Sequence, residues 1–469
     1  MATSHPRPER GLGPGARAYD ALIRTAALGV RAMSRLVRVG AGTSAPGLVV
    51  QRLDPGFVDR RARLLSDGIV VVSGTNGKTT TAAMIADILR ARGRSVLTNE
   101  SGANLFRGVA TAFATANGDE RAGVFEVDEG ALERLTRVLQ PRVLVLTNVF
   151  RDQLDRFGEP ETVAGLLAGA ARDLPPGSTV VANADDPLLW HAVEDLRPVA
   201  FGVRLPEGPS AASRSDGEPE VCPVCGATLR HRGRILAHLG PAACDACGWS
   251  NPEPSVLADV VDQPRLDALR LAIGGVPCDL RLGGVHNAYN AAAAVAAAEA
   301  MGVSRIHSVS ALGAFTPRFG RTESLEFEGR TLWVLLMKNP AGASALVQQV
   351  AHDPRIRAAA VLLNDRWADG RDVSWIWDAD LESLVGLGMP IVAGGIRADD
   401  IGVRIKYAGG RIAASANHLP DLLREIVAVT EPGDDVAVLA TYTAMLAFRS
   451  EVLGSRRARV ADLEVTTGR

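Results

Sequence analysis

Residues 70–84 read VVVSGTNGKTTTAAM. Consecutive valines fit a strand buried on both faces, as at the centre of a parallel sheet. The strand runs into Gly74-Thr75-Asn76-Gly77-Lys78-Thr79-Thr80, after which Ala82, Met84, Ile85, Ile88 and Leu89 recur at helical spacing until Gly93. A Gly-rich turn at a helix start aims several backbone N–H groups at one point, and the helix dipole adds positive character there. Gly74 and Gly77 permit the tight backbone, Lys78 can reach the outer phosphates, and Thr79 or Thr80 can hold Mg²⁺. Val72 stands where the full phosphate-loop pattern has its first glycine. The stretch therefore predicts a nucleotide-binding P-loop of a particular subclass.

Working outward, GIVVVSG, SVLTN, GVFEVDE, RVLVLTNV and STVVANADD alternate with helical stretches. That rhythm predicts an α/β fold with a doubly wound parallel sheet and function at the strands' carboxyl ends. The expected ATP-binding domain covers 45–316, with an insertion at about 203–256. From 317 to 469 a second alternation predicts a C-terminal α/β domain: TLWVLLM, a helix over 342–352, AAAVLLND, PIVAGG, a helix over 420–429 and DVAVLATYTAM. Residues 1–44 read as a polar tail followed by an amphipathic helix. Arg24, Arg31, Arg35 and Arg38 interrupt that helix too often for a membrane span. It is expected to pack on the first domain of a cytoplasmic protein.

Lys+Arg number 51 against 53 Asp+Glu, which leaves no basic surplus for general nucleic-acid binding or a polybasic membrane anchor. Lysine occurs only at 78, 338 and 406. Any step that demands a lysine amine has three candidates.

Polar residues gather at successive strand ends. Glu126, Asp128 and Glu129 close one strand, where carboxylates can complete a magnesium site or merely cap the next helix. Asn148, Arg151, Asp152 and Asp155 close the following one. This is the distribution that a phosphoryl-transfer cleft requires.

Four of the five cysteines form Cys222-Pro-Val-Cys225 and Cys244-Asp-Ala-Cys247, the spacing of a zinc ribbon. Four protein thiolates leave no open position on the metal, so the expected Zn²⁺ is structural. The ribbon's one basic cluster, RHRGR, has no interleaved aromatics, so no nucleic-acid partner is expected. Cys278 lies in a strand-like GVPCDLRLGG with no activating group.

Five motifs in order resemble the Mur ligase superfamily, the ATP-dependent ligases of peptidoglycan precursor synthesis. They are GTNGKTT, TNVFRDQLDRFGE, NADDP, GGVHNAYNAAAA and GRTE, and the likeness spans about 45–450. The resemblance implies a Mur ligase-like fold in which a carboxylate becomes an acyl phosphate that an amine then attacks. It implies that Lys78 and Thr79 engage phosphates and metal, Glu126 binds Mg²⁺, and Asn287 and Arg321 contact ATP. Three departures narrow it. Gln153 replaces a histidine, and no lysine occurs between 79 and 337 to form the carbamate of amino-acid-adding members. LLMKNPAGA, with Lys338, Asn339 and Pro340, replaces Asp-Tyr-Ala-His-x-Pro.

With the ribbon, KNPAG and LLNDRWADGRDVSWIWDADLE, the chain is similar to the superfamily's amidating branch, the synthetase subunits of lipid II isoglutaminyl synthase. That resemblance implies amidation of the D-glutamate α-carboxylate of the lipid II stem peptide to D-isoglutamine. Ammonia would come from a glutaminase partner of GatD type in a heterodimer. Asp372, with Asp369 as runner-up, would complete the partner's Cys-His catalytic set. Trp375 and Trp377 alternate as on a strand and are expected in the core. The alternatives are a conventional Mur or folylpolyglutamate-type amino-acid ligase and an NTP-dependent scaffold. The missing lysine weighs against the first and the surviving nucleotide motifs against the second. Whether the acceptor is lipid-linked is open; any contact with the membrane's inner face would come through it.

Overall fold

All six residues of β1 (Gly68–Ser73) are buried, so this strand needs protein on both faces. The computed structural model describes residues 14–36, 45–99, 103–152, 159–206, 221–316 and 321–466. After β1 come β2 (Val96–Thr98), β3 (Ala122–Glu126), β4 (Val143–Leu146), β5 (Thr179–Asn183) and β6 (Val199–Arg204). The short β7 (Arg230–His231) and β8 (Ala242–Ala243) pair only with each other. Then follow β9 (Val256–Arg265), β10 (Ala268–Ile273) and β11 (Val276–Leu280). The nine-stranded sheet has the order β11-β10-β9-β6-β5-β4-β1-β3-β2. Its β1–β6 part and β9 run parallel, and β9, β10 and β11 form an antiparallel edge.

β1 lies between β3 and β4, so the strand order reverses at it and a crevice opens beyond its carboxyl end. The register sets Glu126 beside Val72 and Leu146 beside Ser73. The residues that follow β3 and β4 must therefore flank the turn that follows β1.

Alternate residues of β1 feed two cores. Val70 and Val72 pack with the helices Lys78–Ala91 and Val285–Ala300. Ile69 and Val71 pack with Phe106–Thr115 and Glu129–Leu139. Residues 291–298, all alanine but Val295, are wholly buried, and their small side chains let that helix lie close to the sheet. The helix Pro14–Leu36 closes the second face, with Ile23 and Ala27 against Phe57 and Phe113. No helix among the described residues is long and apolar enough to cross a membrane.

Adjacent parallel strands need a crossover. The connection between β6 and β9 is the one that carries the four cysteines.

The second sheet holds β12 (Arg321–Phe327), β13 (Arg330–Leu336), β14 (Ile356–Leu362), β15 (Ile391–Gly394), β16 (Ala414–Ala416) and β17 (Asp435–Ala440). Its order is β12-β13-β17-β14-β15-β16, parallel except for the β12–β13 hairpin. Helices Pro340–Ala351 and Leu419–Ala428 fall within two residues of their expected spans. The expected alternation at Trp375 and Trp377 fails. Ser374–Trp377 is one 3₁₀ turn, Ile376 is its buried residue, and Trp377 is 48% exposed. The Asp372 carboxylate accepts the Ser374 N–H at 2.8 Å, which starts a turn in place of a strand.

Candidate active site

Gly74 and Gly77 adopt φ of +120° and +85°, in the region that favours glycine. Space constrains them as well: a Cβ on Gly74 would strike Thr147 Oγ1, and one on Gly77 would strike Asn290 Oδ1. Neighbouring strand ends then fix the turn. The Thr75 N–H donates to the Asn148 carbonyl at 2.9 Å, and the Asn76 N–H to Asn148 Oδ1 at 2.8 Å. The Thr75 hydroxyl accepts the Phe150 N–H at 3.1 Å, so it faces away from the loop's mouth. Asn148 thus holds the loop from outside, a role that its position at a strand end suggested only in outline.

Lys78 is buried, and its Nζ donates to the Gly74 carbonyl, to the Thr75 carbonyl at 3.2 Å and to Glu129 Oε2 at 3.1 Å. Burial alone would lower its pKa. The Glu129 and Glu126 carboxylates outweigh burial and hold it above the ordinary lysine value. Thr79 Oγ1 donates to Glu126 Oε2 at 2.7 Å. Thr80 is buried in the same first helical turn. Asp128 caps the helix Glu129–Leu139 by accepting the Gly130 N–H at 3.1 Å. The three acidic residues read together in the sequence therefore divide their work: Glu126 meets Thr79, Asp128 caps, and Glu129 neutralises Lys78. Thr79 and Glu126 converge as hard oxygen donors beside the loop, a donor set that suits Mg²⁺.

Asn287 is buried and spends its amide on the protein. It donates to the Gly283 carbonyl at 2.6 Å, and its oxygen accepts from Asn290 at 2.9 Å. Asn290 in turn accepts the Thr81 hydroxyl at 3.2 Å and lies against Gly77. Arg321 opens β12 opposite Leu335. Its side chain, Gln153 and Asp155 lie outside the described residues.

The second sheet reaches the loop through the residues after β13. Asn76 and Asn339 exchange side-chain amide hydrogen bonds at 3.0 and 3.4 Å. Asn339 also caps the helix Pro340–Ala351 by accepting the Gly342 N–H at 2.8 Å. Lys338 Nζ donates to the Thr75 carbonyl at 3.2 Å and lies 3.7 Å from Asp152 Oδ2. Burial pushes the Asp152 carboxyl above its usual range, with Lys338 and Lys78 opposing. The cleft beside the loop is lined by Asn76, Asn290, His286, Leu236 and Leu346, among others.

Asp372 and Asp369 sit in the connection after β14 and differ sharply. Asp369 is buried, accepting the Thr443 N–H at 2.7 Å, the Thr443 hydroxyl at 2.5 Å and the Arg366 N–H at 3.2 Å. Asp372 is exposed, and the hydroxyl and N–H of Ser374 hold its carboxyl below the usual range.

Cys222, Cys225, Cys244 and Cys247 place their sulfurs within 4.8 Å of one another, with no disulfide among them. Tetrahedral Zn–S bonds of about 2.3 Å need sulfurs roughly 3.8 Å apart. The pairs Cys222–Cys247 and Cys225–Cys244 are at 3.6 and 3.5 Å, so the cluster is compatible with zinc. Both knuckles repeat one design. Gly226 and Gly248 have positive φ and donate to the carbonyls of Cys222 and Cys244, each at 2.9 Å. Cys278 is buried in β11, and burial pushes its thiol up to about 11, as befits an inert position.

The Mur ligase middle-domain family matches residues 72–205, and the MurT ligase C-terminal family matches 336–445. The chain is 36% identical to subunit MurT of the glutamine-hydrolysing lipid II isoglutaminyl synthase of Streptococcus pneumoniae, over 90% of this chain and 94% of that protein. It is 31% identical to the same subunit from Staphylococcus aureus strain COL, over 78% and 83%. Among solved structures, a pseudomurein peptide ligase type C from Methanothermus fervidus superposes with TM-score 0.68 at 21% identity, over 83% and 79% of the two chains. MurF from Acinetobacter baumannii gives 0.62 at 18% identity, over 86% and 80%. The last two likenesses establish the Mur ligase-like fold.

Proposed function

The chain belongs to the MurT family of Mur ligase-type enzymes, and on that premise we propose that it amidates the D-glutamate α-carboxylate of the lipid II stem peptide. ATP phosphorylates that carboxylate, and ammonia displaces phosphate to leave D-isoglutamine. The N–H groups at the start of the helix Lys78–Ala91 and the Lys78 side chain would hold the phosphates. Thr79 and Glu126 would hold a magnesium ion, which when bound would supply positive charge to the phosphates. Asn290, braced by Asn287, and the cleft around His286 would receive the rest of the nucleotide, and the family resemblance adds Arg321 as a nucleotide contact.

The contact of Lys338 and Asn339 with the phosphate loop carries this reading. Conventional ligases use the corresponding segment beside an amino-acid substrate. Here its polar groups are committed to Thr75, Asn76 and Asp152. A nucleophile as small as ammonia needs no pocket for a carboxylate of its own. The half-buried Asp152, opposite Lys338, would take the proton that attacking ammonia must lose.

Nitrogen arrives from a glutaminase subunit of GatD type. That partner's Cys and His would be completed by Asp372, the member of the Asp369/Asp372 pair whose carboxylate faces solvent. Zinc held by the four cysteines is structural.

The isolated chain should hydrolyse ATP only with a D-glutamate-containing acceptor and should use ammonium, not glutamine. Absence of ammonium-dependent product would refute the amidation. Glutamine use by the isolated chain would refute the two-subunit division.

A further inference from the structure

The helix Pro14–Leu36 turns its charges inward. Asp20 is buried, 3.0 Å from the Arg60 guanidinium. Arg24 is half-buried and donates to the carbonyls of Ala114, at 3.4 Å, and Ala116. Arg31, also half-buried, follows them on the same side at helical spacing. Ile23 and Ala27 complete that inner side against Phe57 and Phe113.

The outward side reverses what a helix facing water carries. Over residues 19–32, where its side chains are described, the exposed ones are Tyr19, Ala21, Leu22, Thr25, Leu28, Gly29 and Ala32, none of them charged. At about 100° per residue, the six from Ala21 onward fall within an arc of about 120°. Leu22 is 65% exposed and Leu28 45%. The Thr25 hydroxyl donates to the Ala21 carbonyl at 2.9 Å, so the strip's one polar side chain spends its proton along the helix. A Cβ on Gly29 would meet no heavy atom within 4 Å, so nothing in the chain packs there. A surface helix normally keeps its charged residues for solvent, and one that is apolar on both sides is covered on both sides.

Charge indicates what covers it. The whole chain carries a net charge of −2, but residues 1–40 hold seven arginines against Glu9 and Asp20, a local surplus of five positive charges. Two copies meeting through this face would bring two such segments together and repel, whereas an anionic surface attracts them. An uncharged strip in an arginine-rich segment is the pattern of a helix lying in a lipid headgroup layer. The glutaminase contact proposed above belongs to the connection after β14 in the second sheet, whereas this helix packs on the first. The strip is therefore left for another occupant.

We infer that the outward face of the helix Pro14–Leu36 docks on an anionic phospholipid bilayer, with Leu22 and Leu28 entering the headgroup layer and the basic segment meeting lipid phosphates. The inference goes beyond the amidation reading and stands without it: the chain has a membrane contact of its own, separate from any that a lipid-linked acceptor provides.

The test is flotation of the full chain with vesicles of equal parts phosphatidylglycerol and phosphatidylcholine, and with vesicles of phosphatidylcholine alone. Wild type should bind the anionic vesicles about tenfold more tightly. Leu22→Asp combined with Leu28→Asp should weaken that binding about tenfold at an unchanged melting temperature, since both side chains are exposed. Trp367→Asp, a like change at an exposed residue after β14, should leave it unchanged. Gly29→Trp has room for its ring and should gain fluorescence quenching by brominated phosphatidylglycerol over wild type. That readout decides the matter if the aspartate pair fails to fold. Equal binding to both vesicles, no binding to either, survival of binding in the folded aspartate pair, an equal loss in Trp367→Asp, or no gain in quenching would each overturn the docking surface. A dimer in solution that the aspartate pair dissociates would also overturn it, by assigning the face to a second copy. None of these measurements requires turnover, so a failure to amidate counts against the amidation reading alone.

Discussion

Two connections leave the carboxyl ends of parallel strands in this molecule, and they are finished in opposite ways. The loop after β1 is completed by its own chain: Asn148 holds its amides, Glu129 neutralises Lys78, and Asn339 arrives from the second sheet to grip Asn76. The connection after β14 is tied down at its base, where Asn364 and Asp369 both bond Thr443. Beyond that anchor it presents Asp372 to solvent, with Trp367 88% exposed and Trp377 48% exposed nearby in the chain. Buried polar groups must find partners within the fold, whereas an exposed carboxylate can wait for one from outside. The first loop is completed within the chain, and on the proposed reading the second is finished by another protein.

Substitutions can break that contrast. In the complex with the glutaminase, Asp372→Asn should cut glutamine-dependent amidation on the order of 10⁴-fold, the usual cost of removing the carboxylate that orients a catalytic histidine. Ammonium-dependent amidation should be unchanged, and parallel assays with the two donors measure the split. Equal losses would make the second loop part of the same machinery as the first. Lys78→Met should lower turnover roughly 10²–10³-fold with either donor, because it removes one positioned charge from the phosphates. A loss confined to glutamine would reverse the assignment of the two loops. Asp369→Asn should cost about 2 kcal/mol of stability, since buried bonds to a charged acceptor are lost. Asp372→Asn should leave the melting temperature where it was.

A pH-dependent effect concerns how the first region is tied together. Burial, chiefly, raises the Asp185 carboxyl from 3.8 to about 6, although the Val203 N–H and Tyr289 hydroxyl both donate to it. Between those pH values the folded chain binds this proton more readily than the unfolded chain. This group's contribution to stability therefore falls as pH rises from about 4 to about 6, by up to about 3 kcal/mol in all. Asp185→Asn can still accept both hydrogen bonds and should flatten that slope in melts taken across the interval.

What could be read from the sequence follows the same division. β1 and its loop are local in sequence, so the strand, turn and helix were plain in residues 70–84. The four cysteines also declare their geometry through spacing alone. The partition of Glu126, Asp128 and Glu129 was not legible, because it depends on which face of a later helix meets Lys78. Nor was the grip of Asn339 on Asn76, which joins residues 263 apart. The Trp375/Trp377 alternation misled because a single Asx turn at Asp372 sets the backbone there, and a two-residue period is too short to tell a strand from a 3₁₀ turn.

The scarcity of lysine has a practical consequence. Of the three ε-amines, Lys78 is 8% exposed, Lys338 is 39% exposed beside the phosphate loop, and Lys406 stands on the outer surface. An acylating reagent or an amine-directed cross-linker thus meets one constant surface target, one sheltered target and one whose accessibility depends on how the two sheets are docked. The ratio of label on Lys338 to label on Lys406, read by mass spectrometry, becomes an internally normalised gauge of cleft opening that needs no engineered probe.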